Sequence, residues 1–208
     1  STVARDSVRD HPGNVRLVED IASLIVGALP SLRTRGLLTD TFLEALPNKD
    51  DQIGHPYSLI RDAVTEAFND QELTPAWGGG GGFAPARTLV ASPSEFRNWL
   101  EQGDLATLFS LRRVKTSQPP RWVRDRDGRA GRFLAGLDTI EFGWRELGEV
   151  IRAARRADEI LADVDNKFDE YEKATSKAWF SWLESKTDDA LLRFYQLLGL
   201  GHLNPDPL

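Results

Sequence analysis

Apolar residues recur at helical spacing along most of this chain, and this periodicity constrains the fold more than any other feature. The first run follows Asn14, a good N-cap residue, and Pro30 marks the predicted end of its helix. The residues with this spacing are Val15, Val18, Ile21, Leu24, Ile25 and Ala28. The same periodicity runs from Trp144 to Tyr171 and returns after Thr175 and Thr187. The sequence therefore predicts a mainly helical protein.

Shorter helices are predicted between these two regions. Thr39 can cap one that Pro47 closes, and another runs from about Pro56 to Asn69. Ser92 to Glu95 read "SPSE", a capping box with proline at the first helical position. The segment "PPRWVRD" is expected to be extended, because proline keeps the preceding residue out of helical geometry. A further helix is predicted around Arg129 to Leu137.

Five consecutive glycines, Gly78 to Gly82, separate two short segments rich in proline and strand-forming residues between Glu72 and Ala91. A phosphate loop needs a lysine and a hydroxyl residue after its last glycine, and then a helix that receives the anion. Here Phe83, Ala84 and Pro85 follow instead. The glycines are therefore predicted to form the turn of a β-hairpin; a phosphate cradle and a substituted linker are the alternatives.

These elements together predict a fold class and a domain organisation. The fold class is mainly α with a small β-hairpin element (α+β), in a helical bundle-like module. Residues 1–125 are predicted to form a helical subdomain with a hairpin near 72–91, and residues 126–208 a C-terminal helical subdomain. One continuous domain is the alternative, since 208 residues are within reach of a single domain.

Composition excludes several classes of protein. The chain has no cysteine, which excludes disulfides, a thiol nucleophile and thiolate zinc sites and fits a cytoplasmic location. No apolar run approaches the roughly 20 residues of a membrane span, so no membrane partner is expected. The absence of methionine suggests an excised piece of a longer protein. The net charge of −6 argues against a protein built mainly to bind nucleic acid.

Charge is nevertheless concentrated in blocks. Residues 112–132 carry eight basic side chains against Asp125 and Asp127. A nucleic-acid surface is one interpretation, with Trp122 and Phe133 as stacking platforms. The favoured interpretation places both aromatic residues in the core and pairs the arginines with the acidic stretch Asp163 to Glu172. The candidate phosphate or partner contacts are Arg112, Arg113, Lys115, Arg121, Arg124 and Arg126.

No catalytic, cofactor-binding or metal-binding residue is assigned within this chain. His11, His55 and His202 have no metal-ligand spacing. Asp188 and Asp189 fall in a predicted first helical turn, where they stabilise the helix dipole. No serine lies in a nucleophile-elbow pattern. The fragment itself is therefore expected not to be an enzyme.

Four stretches, taken in order, resemble one protein family. "ARDSVRDHPGNVRLVEDIASLIVGAL" resembles the segment that follows the ATP-binding domain in sacsin-like proteins of the GHKL (Bergerat-fold) ATPase class, with Arg5, Asp6 and Asn14 at matching positions. "GLLTDTFLEALP" and "LIRDAVTEAFNDQELTPA" with its following hairpin resemble what comes next. "KAWFSWLESKTDDALLRFYQLLG" is similar to a later stretch of bacterial members.

This resemblance implies a role beside an ATPase. The ATP-binding motifs would lie upstream of this chain, so ATP and Mg would be cofactors of the parent protein only. The region would be non-catalytic and would couple ATP binding to a protein client or to other domains. A basic residue of such a region can reach the γ-phosphate; Arg112, Arg113 and Lys115 are candidates by charge alone. Binding of nucleic acid through residues 112–132 is the alternative.

Overall fold

The structure is a computed structural model that describes residues 12–77, 82–93, 96, 100, 102–111, 120–124, 126–155, 177 and 180–186. The helices are α1 (Pro12–Thr34), α2 (Asp40–Ala45), α3 (Ser58–Asp70), α4 (Gln102–Leu111), α5 (Gly128–Ala135) and α6 (Trp144–Arg155). The strands are β1 (Thr74–Trp77), β2 (Phe83–Ala84), β3 (Leu89–Ala91), β4 (Arg121–Val123) and β5 (Ile140–Glu141), with a 3-10 turn at Ala86–Thr88. The α+β class is confirmed.

The strands form a five-stranded sheet in the order β2-β1-β4-β3-β5. Strands β1 and β2 are antiparallel, with Thr74 opposite Ala84 and Pro75 opposite Phe83. This pairing confirms the predicted hairpin, although the sheet is larger than a single hairpin. Four of the five consecutive glycines, residues 78–81, lie outside the described residues. Gly82 has a φ of +122°, a conformation that glycine adopts without strain.

The chain divides into two compact units, and each is built from two segments. Unit 1 comprises Ser1–Leu89 with Val123–Ile140, and unit 2 comprises Val90–Trp122 with Glu141–Leu208. The sequence predicts a different division, with one boundary between residues 125 and 126, and that division stays a prediction.

Unit 1 has a core of buried side chains from α1, α2, α3 and α5. Its fully buried members include Leu29, Leu43, Phe68 and Leu73. The rings of Phe68 and Phe133 meet edge to face with centroids 5.0 Å apart, a geometry that aromatic pairs prefer. Helices α2, α3 and α5, each predicted from the sequence, therefore supply much of this core.

Helix α1 ends later than Pro30, which corrects one prediction. Pro30 lies inside the helix, and the hydroxyl of Thr34 donates to its carbonyl oxygen at 2.9 Å. The stop signal is Gly36, whose φ is +70°. The Gly36 N–H donates to the Arg33 carbonyl at 2.9 Å, and the Leu37 N–H donates to the Leu32 carbonyl at 2.9 Å. This pair of bonds is a Schellman motif, and it satisfies carbonyls that would otherwise lack partners.

The other local signals gave mixed results, since Asn14, predicted as an N-cap, lies inside α1, which begins at Pro12. The Thr39 hydroxyl accepts a hydrogen bond from the Phe42 N–H at 3.3 Å, which confirms it as the N-cap of α2. Helix α3 begins at Ser58 rather than near Pro56, and Tyr57 just before it is exposed. Helix α5 begins at Gly128, one residue from its predicted start.

Unit 2 has an aromatic centre. Phe96 is buried and meets Phe142 edge to face at 5.9 Å between centroids, while Phe109 stacks on Phe142 at 5.9 Å. The Phe142 N–H donates to the Ala91 carbonyl at 2.9 Å, and the Ser92 hydroxyl donates to the Phe142 carbonyl at 2.6 Å. The chain entering α6 is thereby held against the end of β3.

Glu146 closes the first turn of α6. The Gly143 N–H donates to its carboxylate at 2.9 Å, which is one half of a capping box. Burial raises the pKa of Glu146, but the hydrogen bonds from backbone N–H groups and from the Arg145 side chain outweigh it, and the net pKa is lowered. The carboxylate therefore caps the helix in its charged form. The predicted continuation of this helix from residue 156 to Tyr171 and the last predicted helix lie outside the described residues.

Candidate functional site

The six candidate contacts of the basic segment have different surroundings. Arg112, Arg113 and Lys115 lie outside the described residues, as do Arg5 and Asp6 of the family resemblance. Arg121 is half-buried on β4, and Arg124 is exposed directly after this strand. The Arg124 N–H donates to the Pro75 carbonyl at 3.0 Å, which continues the alignment with β1.

Two arginines of this segment are held by carboxylates of unit 1. Arg126 forms an ion pair with Asp40 at the start of α2. Arg129 donates to both carboxylate oxygens of Asp51, at 3.1 and 2.8 Å, and to the Glu44 carbonyl at 3.0 Å. The first turn of α5 is thus tied to α2 and the loop after it. Their acidic partners lie earlier in the chain than the predicted stretch 163–172, which is outside the described residues.

The two aromatic residues of the basic segment are in the interior. Trp122 is 4% exposed and Phe133 is 2% exposed. The prediction that both belong to the core is confirmed. Their faces are therefore not available as stacking platforms for nucleic-acid bases, because stacking requires an accessible ring face.

The ion pair between Arg129 and Asp51 gives a prediction on pH. Hydrogen bonds from the Arg129 side chain and from the Asn48 N–H lower the pKa of Asp51 below the usual value of about 3.9. A carboxyl whose pKa is lower in the folded state stabilises that state above about pH 4, and the contribution is lost as the pH falls through the folded pKa. We therefore expect Asp51→Asn to flatten the loss of stability on acidification below about pH 5.

The measurement is the urea midpoint as a function of pH at low salt, where screening is least. Arg129→Met should flatten the acid limb in part, because it removes the contact with Arg129 and leaves the hydrogen bond from the Asn48 N–H. The interpretation fails if both variants keep the acid slope of the parent chain.

A cluster around Arg87 was missed by sequence reasoning. The Arg87 guanidinium donates to Glu66 at 3.0 and 3.1 Å and to Asp138 at 3.1 Å, and it pairs with Asp70. These contacts raise the pKa of Arg87, chiefly through the hydrogen bond with Glu66. The buried amide of Asn69 accepts from the Asp138 N–H at 2.9 Å and donates to the Asp138 carboxylate at 3.2 Å. The cluster holds the end of α3 against the 3-10 turn and the loop after α5.

Unit 2 contains a buried charged cluster. Asp104 in α4 is 5% exposed, and the indole N–H of Trp182 donates to its carboxylate at 2.8 Å. Lys186 forms an ion pair with the same carboxylate oxygen, and its ammonium group lies 5.3 Å from the centre of the Trp182 ring. The sequence placed Trp182 in a helix but carried no signal for a partner 78 residues earlier.

Helix α1 presents an exposed apolar stripe, defined by Leu17, Ile21 and Leu24. Their exposed fractions are 58%, 39% and 75%. The spacing i, i+4, i+7 places the three side chains within about 60° of one another around the helix axis. Val18, Ala22 and Leu29, on another side of the helix, are buried. The periodicity that groups these residues in the sequence therefore covers two faces, and only one of them is in the core of unit 1.

Neither metal chemistry nor a membrane span is indicated within the part of the chain that the structure describes. No group of three histidine, aspartate or glutamate side chains there is arranged to hold a metal ion. None of the described helices is long and apolar enough to cross a membrane. Comparison of the chain with protein-family models, with curated proteins and with solved structures found no match.

Proposed function

We propose that this chain is a non-catalytic, helical bundle-like module of a larger, sacsin-like GHKL ATPase, and that it couples ATP binding to the binding of a protein client or of another domain. The parent protein binds ATP and Mg upstream of this module and acts in the cytoplasm. The proposal is supported by the ordered resemblance of four stretches of the chain to the region that follows such an ATPase domain.

The observation that carries the partner-binding part of this proposal is the apolar stripe of α1. Leu24 is three-quarters exposed on a helix whose other side is firmly packed, so its exposure does not follow from a poorly packed helix. Helices that bind a second helix use apolar anchors at this spacing. Exposed contiguous apolar patches are the kind of surface through which proteins bind partners.

The experiment that tests the proposal is ATP·Mg binding and hydrolysis by this 208-residue chain and by the full-length product of its native gene. We expect no binding or turnover by the chain alone and both by the full-length protein. Turnover should fall when Leu24→Asp is introduced into the full-length protein if the module couples to the ATPase. Hydrolysis by the chain alone, or none by the full-length protein, would falsify the proposal.

Nucleic-acid binding through residues 112–132 is the alternative, and the described contacts give it less support. Arg126 and Arg129 are paired with carboxylates, which compete with phosphate for the same donors. Trp122 and Phe133 are buried. Arg124 is the exposed residue on which a mutational test of this alternative would start.

A further inference from the structure

We propose that Asp127 and Gly128 form a site of spontaneous isoaspartate formation, and that this modification loosens the first turn of α5 from α2. The inference goes beyond the proposed function and does not rest on it, because it concerns a reaction of the chain itself. Three features at the start of α5 support it: the surroundings of the Asp127 carboxylate, the conformation of Gly128 and the contacts of the arginines on either side.

The Asp127 carboxylate is exposed and is not held in place. Asp127 is the N-cap residue of α5, with an extended backbone (φ −90°, ψ 174°), but its side chain makes no cap hydrogen bond. It forms no ion pair within the part of the chain that the structure describes. Six other described aspartates are held in ion pairs; they are Asp40, Asp51, Asp62, Asp70, Asp104 and Asp138. The Asp127 carboxyl is therefore free to rotate toward the nitrogen of the next residue.

Gly128 supplies an unhindered nitrogen directly after this carboxyl. A Cβ built on Gly128 would meet only the Glu44 carboxylate, at 3.9 Å. The Gly128 N–H is the first of α5, and the first N–H groups of a helix have no acceptor within it. The φ of +62° would strain any other residue, so the turn into α5 favours glycine. The fold thus keeps the least hindered possible neighbour beside an unheld carboxylate.

The reaction needs only the chain and water. The Gly128 nitrogen attacks the carboxyl carbon of protonated Asp127, a C–N bond forms, and the carboxyl hydroxyl leaves with the N–H proton as water. The product is a five-membered succinimide ring. Water that attacks its side-chain carbonyl restores aspartate, whereas water that attacks its main-chain carbonyl breaks the original peptide bond and gives isoaspartate. One water is lost and one is gained, so the mass is unchanged and nothing is oxidised or reduced.

The modification lies between two contacts that tie α5 to α2 and the loop after it. Isoaspartate adds one methylene to the main chain and leaves a carboxylate on its Cα. The residue before it, Arg126, pairs with Asp40. Two residues after it, Arg129 donates to Asp51 and to the Glu44 carbonyl. An extra main-chain atom between the two arginines changes their spacing, so both sets of contacts cannot keep their present geometry.

The test follows isomer formation at Asp127 while the 208-residue chain is kept folded at mildly acidic pH and body temperature for several weeks. Samples are labelled with an isoaspartyl carboxyl methyltransferase and radioactive S-adenosylmethionine, and the modified residue is located by tandem mass spectrometry. Asp20 and Asp50 are internal controls. Both are exposed, but each is followed by a residue with a side chain, which hinders ring closure. The same incubation in urea gives the rate for the unfolded chain.

In the folded chain, isoaspartate should form at Asp127 at least about tenfold faster than at Asp20 or Asp50, and at a rate within about tenfold of the rate in urea. Equal rates at the three aspartates overturn the inference. A folded rate below this limit also overturns it, because the start of α5 would then hold the carboxyl away from the Gly128 nitrogen.

Two variants test the loosening of α5. Asp127→Glu keeps the charge but would have to close a six-membered ring, which forms far more slowly. Asp127→Ser removes the carboxyl and keeps a favoured N-cap residue. After the incubation, the parent chain should contain a fraction with a lower urea midpoint, equal in size to its isoaspartate content, and both variants should keep one midpoint. A modified fraction with an unchanged midpoint, or the same loss of stability in the variants, overturns the proposed loosening.

Discussion

Gly131→Ala is expected to destabilise unit 1 by more than about 3 kcal/mol, which is a large part of the stability of an ordinary domain. Gly131 lies in α5, and a Cβ built on it overlaps the backbone carbonyl oxygen of Arg126 and comes within 3.0 Å of that carbonyl carbon. A backbone group cannot rotate away as the end of a side chain can. Relief therefore requires a shift of the segment that carries the ion pair between Arg126 and Asp40.

The measurement is urea unfolding followed by circular dichroism, and Gly27→Ala is the matched control. Gly27 is also inside a helix, but a Cβ there meets nothing within 4 Å. Alanine at such a position should stabilise the helix by about 0.5–1 kcal/mol. The two substitutions add the same methyl group with opposite expected signs. A Gly131→Ala midpoint equal to that of the parent chain would show that α5 can move away from the Arg126 carbonyl at little cost.

Asp104→Ala is expected to destabilise unit 2 by about 3–5 kcal/mol, because it leaves a largely buried ammonium group without its carboxylate. The Asp104 and Lys186 side chains are 7% and 14% exposed, so water replaces the lost contact poorly. The Trp182 indole N–H also loses an acceptor at 2.8 Å. Faster hydrogen exchange should follow in the amides of residues 180–186, together with a urea midpoint lower by roughly 1–2 M.

A double-mutant cycle built from Asp104→Leu, Lys186→Met and the variant that combines them distinguishes this ion pair from simple loss of packing. The double variant Asp104→Leu with Lys186→Met should recover most of the lost stability, since replacing a buried pair with apolar residues is often neutral or stabilising. Ser185→Ala is the neighbouring control, and it should stay within about 0.5 kcal/mol of the parent chain. A double variant that is no more stable than Asp104→Ala would contradict the expected coupling.

Local chemistry explains which parts of the fold were predictable. Thr39 caps α2 because its hydroxyl reaches an N–H three residues on, and both partners are visible in the sequence. The hairpin of β1 and β2 follows from two strand-forming segments joined by glycine. The prediction that α1 ends at Pro30 was wrong because proline disfavours the interior of a helix but does not always end the helix. Leu29, just before Pro30, is buried in the core of unit 1, and the turn at Gly36 ends the helix, so α1 continues through the proline.

The candidate site was predicted less well, since its determinants are distant in sequence. The basic block supplied six candidate residues by charge alone, yet charge does not indicate which carboxylates meet them. Arg126 pairs with Asp40, 86 residues earlier in the chain, and Arg129 pairs with Asp51, 78 residues earlier. The sequence also grouped Ile21 and Leu24 with Val18, and only the packing of unit 1 separates them.

The sequence alone determined the helical periodicity, the main helix and hairpin segments and the absence of thiol chemistry, because each depends on residue type or on neighbours a few positions apart. Only the tertiary structure decided which side of α1 is left exposed, and it alone brought Arg87 to carboxylates 17 to 51 residues away. The sequence places apolar side chains on two sides of α1. The elements that pack against the helix determine which of these side chains remain exposed to water.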